Sequence, residues 1–196
     1  STVECISDTI SQSPPTVLSD CGEILIPVRL ANGGTFAGCE GTITQNWLYT
    51  DCEGNTEDWT YTYTIDDTTD PVAICAALTD VTLNSTGHDT LTQTEIDAIG
   101  VASTDNCNGV LTFEIDDDTF DCDDSGTSDG PVPAANNRVN RILTVTDCAG
   151  NSSTCTAVIR VMPLDPADYT PTNGVATTVC SDVPYSVDPQ TYINSG

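Results

Sequence analysis

The side chains with chemical potential in this sequence are carboxylates and cysteines. Asp116, Asp117, Asp118, Asp121, Asp123, Asp124 and Asp129 crowd one stretch. Dense oxygen donors of this kind suit a hard cation such as Ca²⁺. Asp121, Asp123 and Ser125 stand at alternate positions before Gly126. That spacing matches the first half of an EF-hand-type calcium loop, and Asp129 falls at its ninth position. Val132 occupies the twelfth, where a bidentate Glu belongs, so the loop is incomplete. The competing reading is a solvated acidic loop. A second candidate set, Asp66, Asp67 and Asp70, precedes Pro71 in a short linker. Carboxylates at a joint between two domains can hold Ca²⁺ there. Ca²⁺ is therefore the candidate ion, and no other metal or organic cofactor is expected.

Paired carboxylates also raise glycoside hydrolysis. A solvated Asp-rich loop, however, offers no apolar pocket to raise one carboxyl and make it an acid. His88 is the sole histidine and lies in a polar run with no nucleophile motif around it. The absence of Lys removes Schiff-base chemistry, a P-loop lysine and lysine isopeptide cross-links. No catalytic residues are assigned, and the chain is not expected to be an enzyme.

Charge excludes further classes. The 196 residues carry 30 acidic side chains and 4 Arg, for a net charge of −26. Nucleic acid needs clustered Lys and Arg, so it is not a partner. Anionic membrane is disfavoured for the same reason, and no apolar run is long enough for membrane insertion. The ten Cys include no C-x-x-C pair, and the tightest spacing is Cys148 to Cys155. That pattern reads as disulfides formed in an oxidising compartment, which places the chain outside the cell or on its surface. With no initiator Met and no signal peptide, Ser1 reads as the start of a processed or trimmed chain.

The elements that must position these groups are strands. Residues 59–65 (WTYTYTI) alternate, with Trp59, Tyr61, Tyr63 and Ile65 on one face. Residues 42–50 form a partner strand with Ile43, Trp47 and Tyr49 on one side, and 51–57 supply the turn. A second copy follows. Residues 138–146 point Val139, Leu143 and Val145 inward, 147–151 turn, and 153–161 return. The turns read TDCEGN (50–55) and TDCAGN (146–151), and the register aligns Trp59 with Cys155 and Ile65 with Val161. This internal repeat defines unit one over 1–67 and unit two over 68–163. Residues 164–196 form a linker and a strand segment, where TTVCSDVP (177–184) echoes TVECISD (2–8). The segment reads as the first strand of an incomplete third unit. A short helix is expected over Thr94 to Ile99, capped by Thr94 with Asp97 three residues on.

DTTDPVAIC (67–75), STDNC (103–107), TFDC (119–122) and TVTDCAGNSSTCTAVIRV (144–161) resemble the hyalin-repeat (HYR) family of immunoglobulin-like β-sandwiches. PPTVLSDCG (14–22), CEGTITQNWLYTDCEGN (39–55) and WTYTYTIDDTTDP (59–71) resemble a related repeat found beside it. The resemblance implies an all-β fold: two tandem immunoglobulin-like sandwiches plus a C-terminal orphan strand. It also implies a secreted surface protein of the kind Bacteroidota carry in tandem arrays, adhesive or structural in role. Ten Cys cannot be connected from sequence alone. The family pattern implies Cys107–Cys122 and Cys75–Cys155. The internal repeat then maps Cys21–Cys39 onto Cys107–Cys122. Cys5–Cys52 is the local choice within unit one, and Cys148–Cys180 would staple the tail to unit two. Cys148 itself departs from the family's usual turn.

Glycans are a further expectation. Asn84 and Asn151 head N-x-[ST] motifs, and Thr9 and Thr90 sit in Asp-Thr-apolar triplets resembling an O-glycosylation signal. Matches this short are expected by chance in so Asp-, Asn- and Thr-rich a chain.

Two functions follow. One is a structural subunit of an extracellular filament or adhesive stalk. Its partners are copies of itself, joined head to tail by exchange of a terminal strand, with 172–196 the preferred donor over 1–12. The alternative is a carbohydrate- or protein-binding adhesin module cut from a larger secreted protein, with Tyr169, Tyr185 and Tyr192 available as exposed aromatics.

Overall fold

Alternating apolar and polar residues set the long strands of this chain. The computed structural model describes residues 1–84, 86–121, 124 and 138–162. In chain order its strands open with β1 (Thr2–Val3), β2 (Val17–Leu18), β3 (Ile24–Leu25), β4 (Val28–Arg29), β5 (Gly41–Thr50) and β6 (Thr56–Ile65). They continue with β7 (Thr79–Thr82), β8 (Asp89–Thr90), β9 (Thr112–Ile115), β10 (Thr119–Phe120), β11 (Arg138–Thr146) and β12 (Ser152–Met162). One helix, α1 (Gln93–Gly100), and a 3-10 turn at Ile6–Asp8 complete the described residues. The fold class is all-β.

The two long hairpins arise from one turn chemistry. In the first, β5 and β6 pair antiparallel from Gly41↔Ile65 to Thr50↔Thr56. The Asp51 carboxylate closes the turn by accepting the N–H groups of Glu53 and Asn55 at 2.9 and 2.8 Å. Asp147 does the same in the second, accepting the N–H groups of Ala149, Gly150 and Asn151 at 2.9, 2.7 and 2.9 Å. Gly54 and Gly150 adopt φ of 87° and 100°, which a side chain would strain. Each turn thus needs Asp first, Gly fourth and Asn fifth, the residues that recur in its sequence.

Sheet order repeats as well. The first four-stranded sheet runs β1-β6-β5-β4 and the second β7-β12-β11-β9. In each, a short strand lies parallel to the end of the second long strand, with Val3 opposite Ile65 and Val81 opposite Val161. Ile65 and Val161 are the residues that the sequence repeat equates. The core positions also correspond: Trp47 with Leu143, Tyr49 with Val145, and Tyr63 with Ile159, all buried. Two-stranded sheets β2-β3 and β10-β8 accompany them.

The contacts gather the chain into two units that are not consecutive stretches. The first holds Ser1–Val72, Thr104–Thr112 and Thr146–Ser153. The second holds the described parts of Ala73–Ser103, Phe113–Val145 and Thr154–Gly196. In the first, Trp47 and Trp59 pack with ring centroids 4.9 Å apart, and Tyr61 meets Tyr63 edge-on at 5.0 Å. Gln45 is buried where alternation alone calls for an apolar residue. Its amide donates to Ile10 O at 2.8 Å and accepts Gln12 N–H at 2.9 Å, so burial leaves no group unsatisfied. In the second, Leu83, Ile99, Phe120, Leu143, Val145, Ile159 and Val161 are fully buried.

The helix begins earlier than Thr94. Thr92 is its N-cap, and the Glu95 carboxylate accepts both the N–H and the hydroxyl of Thr92 at 2.8 Å. Thr94 lies two residues too late to cap, because Glu95 three residues past Thr92 completes the box.

Candidate functional site

Four disulfides join the described cysteines: Cys5–Cys107, Cys21–Cys52, Cys39–Cys148 and Cys75–Cys155. Their Cα separations, 5.3 to 6.6 Å, fit disulfide geometry. Cys75–Cys155 is common to the sequence reading and the structure. Four expected pairs are corrected. Cys5–Cys52 is excluded by strand length. Cys5 follows β1, which lies against the end of β6, whereas Cys52 sits in the turn before β6 begins. A strand of this length separates them by about 30 Å. Cys21–Cys39 gives way to Cys21–Cys52 for the same reason, because Cys39 and Cys52 flank opposite ends of β5. Cys107–Cys122 and Cys148–Cys180 are replaced because Cys107 and Cys148 are bonded to Cys5 and Cys39. Cys122 and Cys180 lie outside the described residues.

Three segments distant in sequence therefore meet at the open end of the β5–β6 hairpin, all within the first unit. Cys5 and Cys39 bring in the 104–112 loop and the 146–153 turn. Gly109 makes room, since a Cβ there would stand 2.5 Å from Cys148 Sγ. Asn151 Nδ2 donates to Asp67 O at 2.9 Å, and Val72 pairs with Thr104. Glu4 accepts the Thr68 N–H at 2.9 Å and the Thr68 and Thr69 hydroxyls. The Thr68 N–H and hydroxyl hold the Glu4 carboxyl below its usual range.

The linker carboxylates separate here. Asp66 and Asp70 are exposed, while Asp67 is 4% exposed. Asp67, Asp105 and Cys107 present ligand atoms within 4.8 Å of one another. Asp105 accepts the Cys107 N–H through Oδ2 at 3.0 Å, but its Oδ1 is buried with no hydrogen-bond partner. Burial raises the Asp67 pKa, opposed by the Thr69 N–H, and the charges of Asp105 and Asp147 add to the rise. Asp147 is buried too, yet its oxygens are taken by its own turn. Asp105 was not among the sequence candidates; no local motif distinguishes it from other acids, and the Cys5–Cys107 bond and the Val72–Thr104 bridge bring its loop to Asp67.

The acidic loop of the second unit is described only in part. Asp121 and Asp124 line a cavity with His88, Asp117, Thr119, Phe120 and Arg141. Arg141 pairs with Asp117 at 3.1 Å and Asp124 at 3.5 Å, and its guanidinium lies 5.2 Å from the Phe120 ring centre. Arg141 thus offsets part of the negative charge of Asp117 and Asp124. Asp123, Ser125 and Asp129 lie outside the described residues. Among the glycan candidates, Thr90 and Asn84 are exposed. Thr9 donates its hydroxyl to Ile6 O at 2.8 Å. Thr9 and Asn151 are half-buried, and the Asn151 amide nitrogen, the atom an N-glycan would occupy, is bound to Asp67 O and Asp147 Oδ2.

One surface stands out from this polar chain. Ile24, Ile26, Val28 and Leu30 alternate along an extended run and are 64%, 84%, 61% and 41% exposed. Leu18 and Ile10, each 66% exposed, belong to the same unit.

Residues 1–65 match the family described as a HYR-like domain with 4 cysteines. Its first unit is similar to that domain. The four cysteines of the matched stretch are Cys5, Cys21, Cys39 and Cys52. Only Cys21–Cys52 closes within the HYR-like stretch; Cys5 and Cys39 are bonded beyond it. The match falls on the first repeat, which resembles a related repeat by its motifs, whereas the motifs that resemble HYR itself lie in 67–161. No curated protein matches the chain. The HYR-like match, with four disulfides, points to an extracellular adhesion-type module. No helix of the described residues is long and apolar enough to cross a membrane.

Proposed function

We propose that this chain is a structural subunit of an extracellular filament or adhesive stalk, whose copies associate head to tail. The observation that carries the reading is the apolar strip Ile24, Ile26, Val28 and Leu30. Solvated side chains of this size, aligned at every second residue beside an edge strand, mark an association surface. The strip leads into β4, the outer strand of its sheet. An extended segment from a second copy can lie along that edge, with main-chain hydrogen bonds for affinity and the aliphatic row for register. A head-to-tail contact of this kind does not close on itself and so propagates. The donor expected from sequence, 172–196, lies outside the described residues.

The test is electron microscopy and light scattering on the wild-type chain and on I26D/V28D. Fibres or higher oligomers in the wild type, lost in the double variant, support the assignment. A wild-type chain that stays monomeric at high concentration would sink it.

A glycan-binding module is the second reading. It draws on the aromatic row Trp47, Trp59, Tyr61 and Tyr63, in which Trp59 and Tyr61 are half-buried and offer ring surface to solvent. Glycan-array binding lost in Trp59→Ala favours that reading.

A further inference from the structure

We propose that Asp67 and Asp105 bind one hard divalent cation of the calcium class beside the Cys5–Cys107 disulfide. Their carboxylates and Cys107 Sγ converge within 4.8 Å. Asp67 is almost wholly buried, and Asp105 Oδ1 is buried without a hydrogen-bond partner. An unpartnered carboxylate oxygen removed from water carries a full desolvation cost unless something positive meets it. Among the described residues no ion pair supplies that charge, and three of the four Arg are engaged elsewhere. Arg29 lies against Trp47 and bonds Ser11 and Asn32, Arg141 is held by Asp117 and Asp124, and Arg160 pairs with Asp80. Among the described residues no ion pair reaches Asp67, Asp105 or Asp147. Asp147 adds negative potential without offering a free oxygen, since its own turn occupies both.

The donor set decides the class of ion. Cys107 is bonded to Cys5, so no thiolate is available and soft metals lose their preferred ligand. What remains is carboxylate oxygen, which suits Ca²⁺, with main-chain carbonyls and water completing a shell of about 6–8 oxygens. A site with two protein carboxylates belongs with extracellular modules that bind at about 10⁻⁴–10⁻³ M. An ion here would bridge residue 67, just past the β5–β6 hairpin, to the 104–112 loop, next to the disulfide that ties Cys5 to that loop. The cation site stands whether or not the chain polymerises.

Calorimetric titration with CaCl₂, and thermal melting in millimolar CaCl₂ against EDTA, test the assignment on the full chain. Calcium should raise the Tm of the wild type. Asp105→Asn keeps an acceptor for the Cys107 N–H while removing one of the two charges. It should melt no lower than wild type in EDTA, lose the calcium-dependent rise, and weaken calcium binding about tenfold or more. Asp67→Asn should lose the response likewise, which covers the case in which one variant folds poorly. A wild-type Tm indifferent to calcium overturns the proposal. Retention of the response in D105N together with its loss in Asp121→Asn also overturns it, by moving the site to the acidic loop of the second unit.

Discussion

Asn151 donates its side-chain amide to the main-chain carbonyl of Asp67 at 2.9 Å, across 84 residues of sequence. The same nitrogen reaches Asp147 Oδ2 at 3.0 Å, so one half-buried amide serves both its own turn and the end of the first hairpin. Its repeat counterpart, Asn55, bonds Asp51 of its own turn and is exposed. Asn151→Ala should therefore cost about 1–3 kcal/mol, the range for leaving buried polar groups unpaired, and Asn55→Ala less. Urea denaturation of the two variants measures the difference. Peptide mass analysis should find Asn151 unglycosylated, since a glycan on Nδ2 would replace one of the two amide hydrogens that make these bonds.

The disulfide network has a covalent readout. Digestion without reduction should yield linked peptides for Cys5–Cys107, Cys21–Cys52, Cys39–Cys148 and Cys75–Cys155. Trypsin has only four sites in this Lys-free chain, so an Asp-directed or aromatic-directed protease is needed. Cys75→Ser/Cys155→Ser should lower stability by about 2–5 kcal/mol. A Cys5–Cys52 or Cys21–Cys39 peptide would contradict the fold at the β5–β6 hairpin.

Aliphatic residues should separate by burial. Ile159 is fully buried, and Ile159→Ala should cost about 2–5 kcal/mol. Ile26 is 84% exposed, and Ile26→Asp should change monomer stability by no more than about 0.5 kcal/mol. Thermal melts at low protein concentration check both. A large effect of I26D on the monomer would mean that the strip serves the fold rather than association.

Several carboxylates are held below their usual range by local donors. The Thr92 N–H and hydroxyl lower Glu95, the Thr119 hydroxyl and N–H lower Asp117, and the Asn55 side chain leads the lowering of Asp51. A folded pKa below the unfolded one adds stability at pH above the ordinary carboxylate value, and that stability is lost as pH falls through the folded value. Glu95→Gln should thus be less stable than wild type at neutral pH, and the gap should close below about pH 4. Comparing variant with wild type at each pH cancels the relief of overall negative charge that acid brings. A gap that is flat with pH would assign the effect to packing.

Much of the architecture is legible before any coordinate. Alternation in 59–65 and 153–161 marks β6 and β12, and the two TDCxGN runs mark turns that Asp51 and Asp147 close in the same way. Gln45 was hidden because its polarity reads as surface although alternation with Trp47 and Tyr49 puts it on the inner face; its burial depends on Ile10 and Gln12 arriving to satisfy it. Asp105 was hidden for a related reason, having no spacing relation to Asp67 at all.

What the chain's sequence settles by itself is therefore local and periodic: all-β character, two copies of one hairpin, ten Cys and a net charge of −26. What only the tertiary structure decides is which distant residues meet. Repeat symmetry paired cysteines with their nearest counterparts, but a ten-residue strand places its two ends about 30 Å apart. Cys39 and Cys52 must then find different partners, and Cys5 travels with β1 to the end where the 104–112 loop lies. The same geometry buries Asp67 and turns Asp66 and Asp70 outward. One linker acid out of three becomes a candidate ligand, and its partner comes from a loop that no local pattern connects to it.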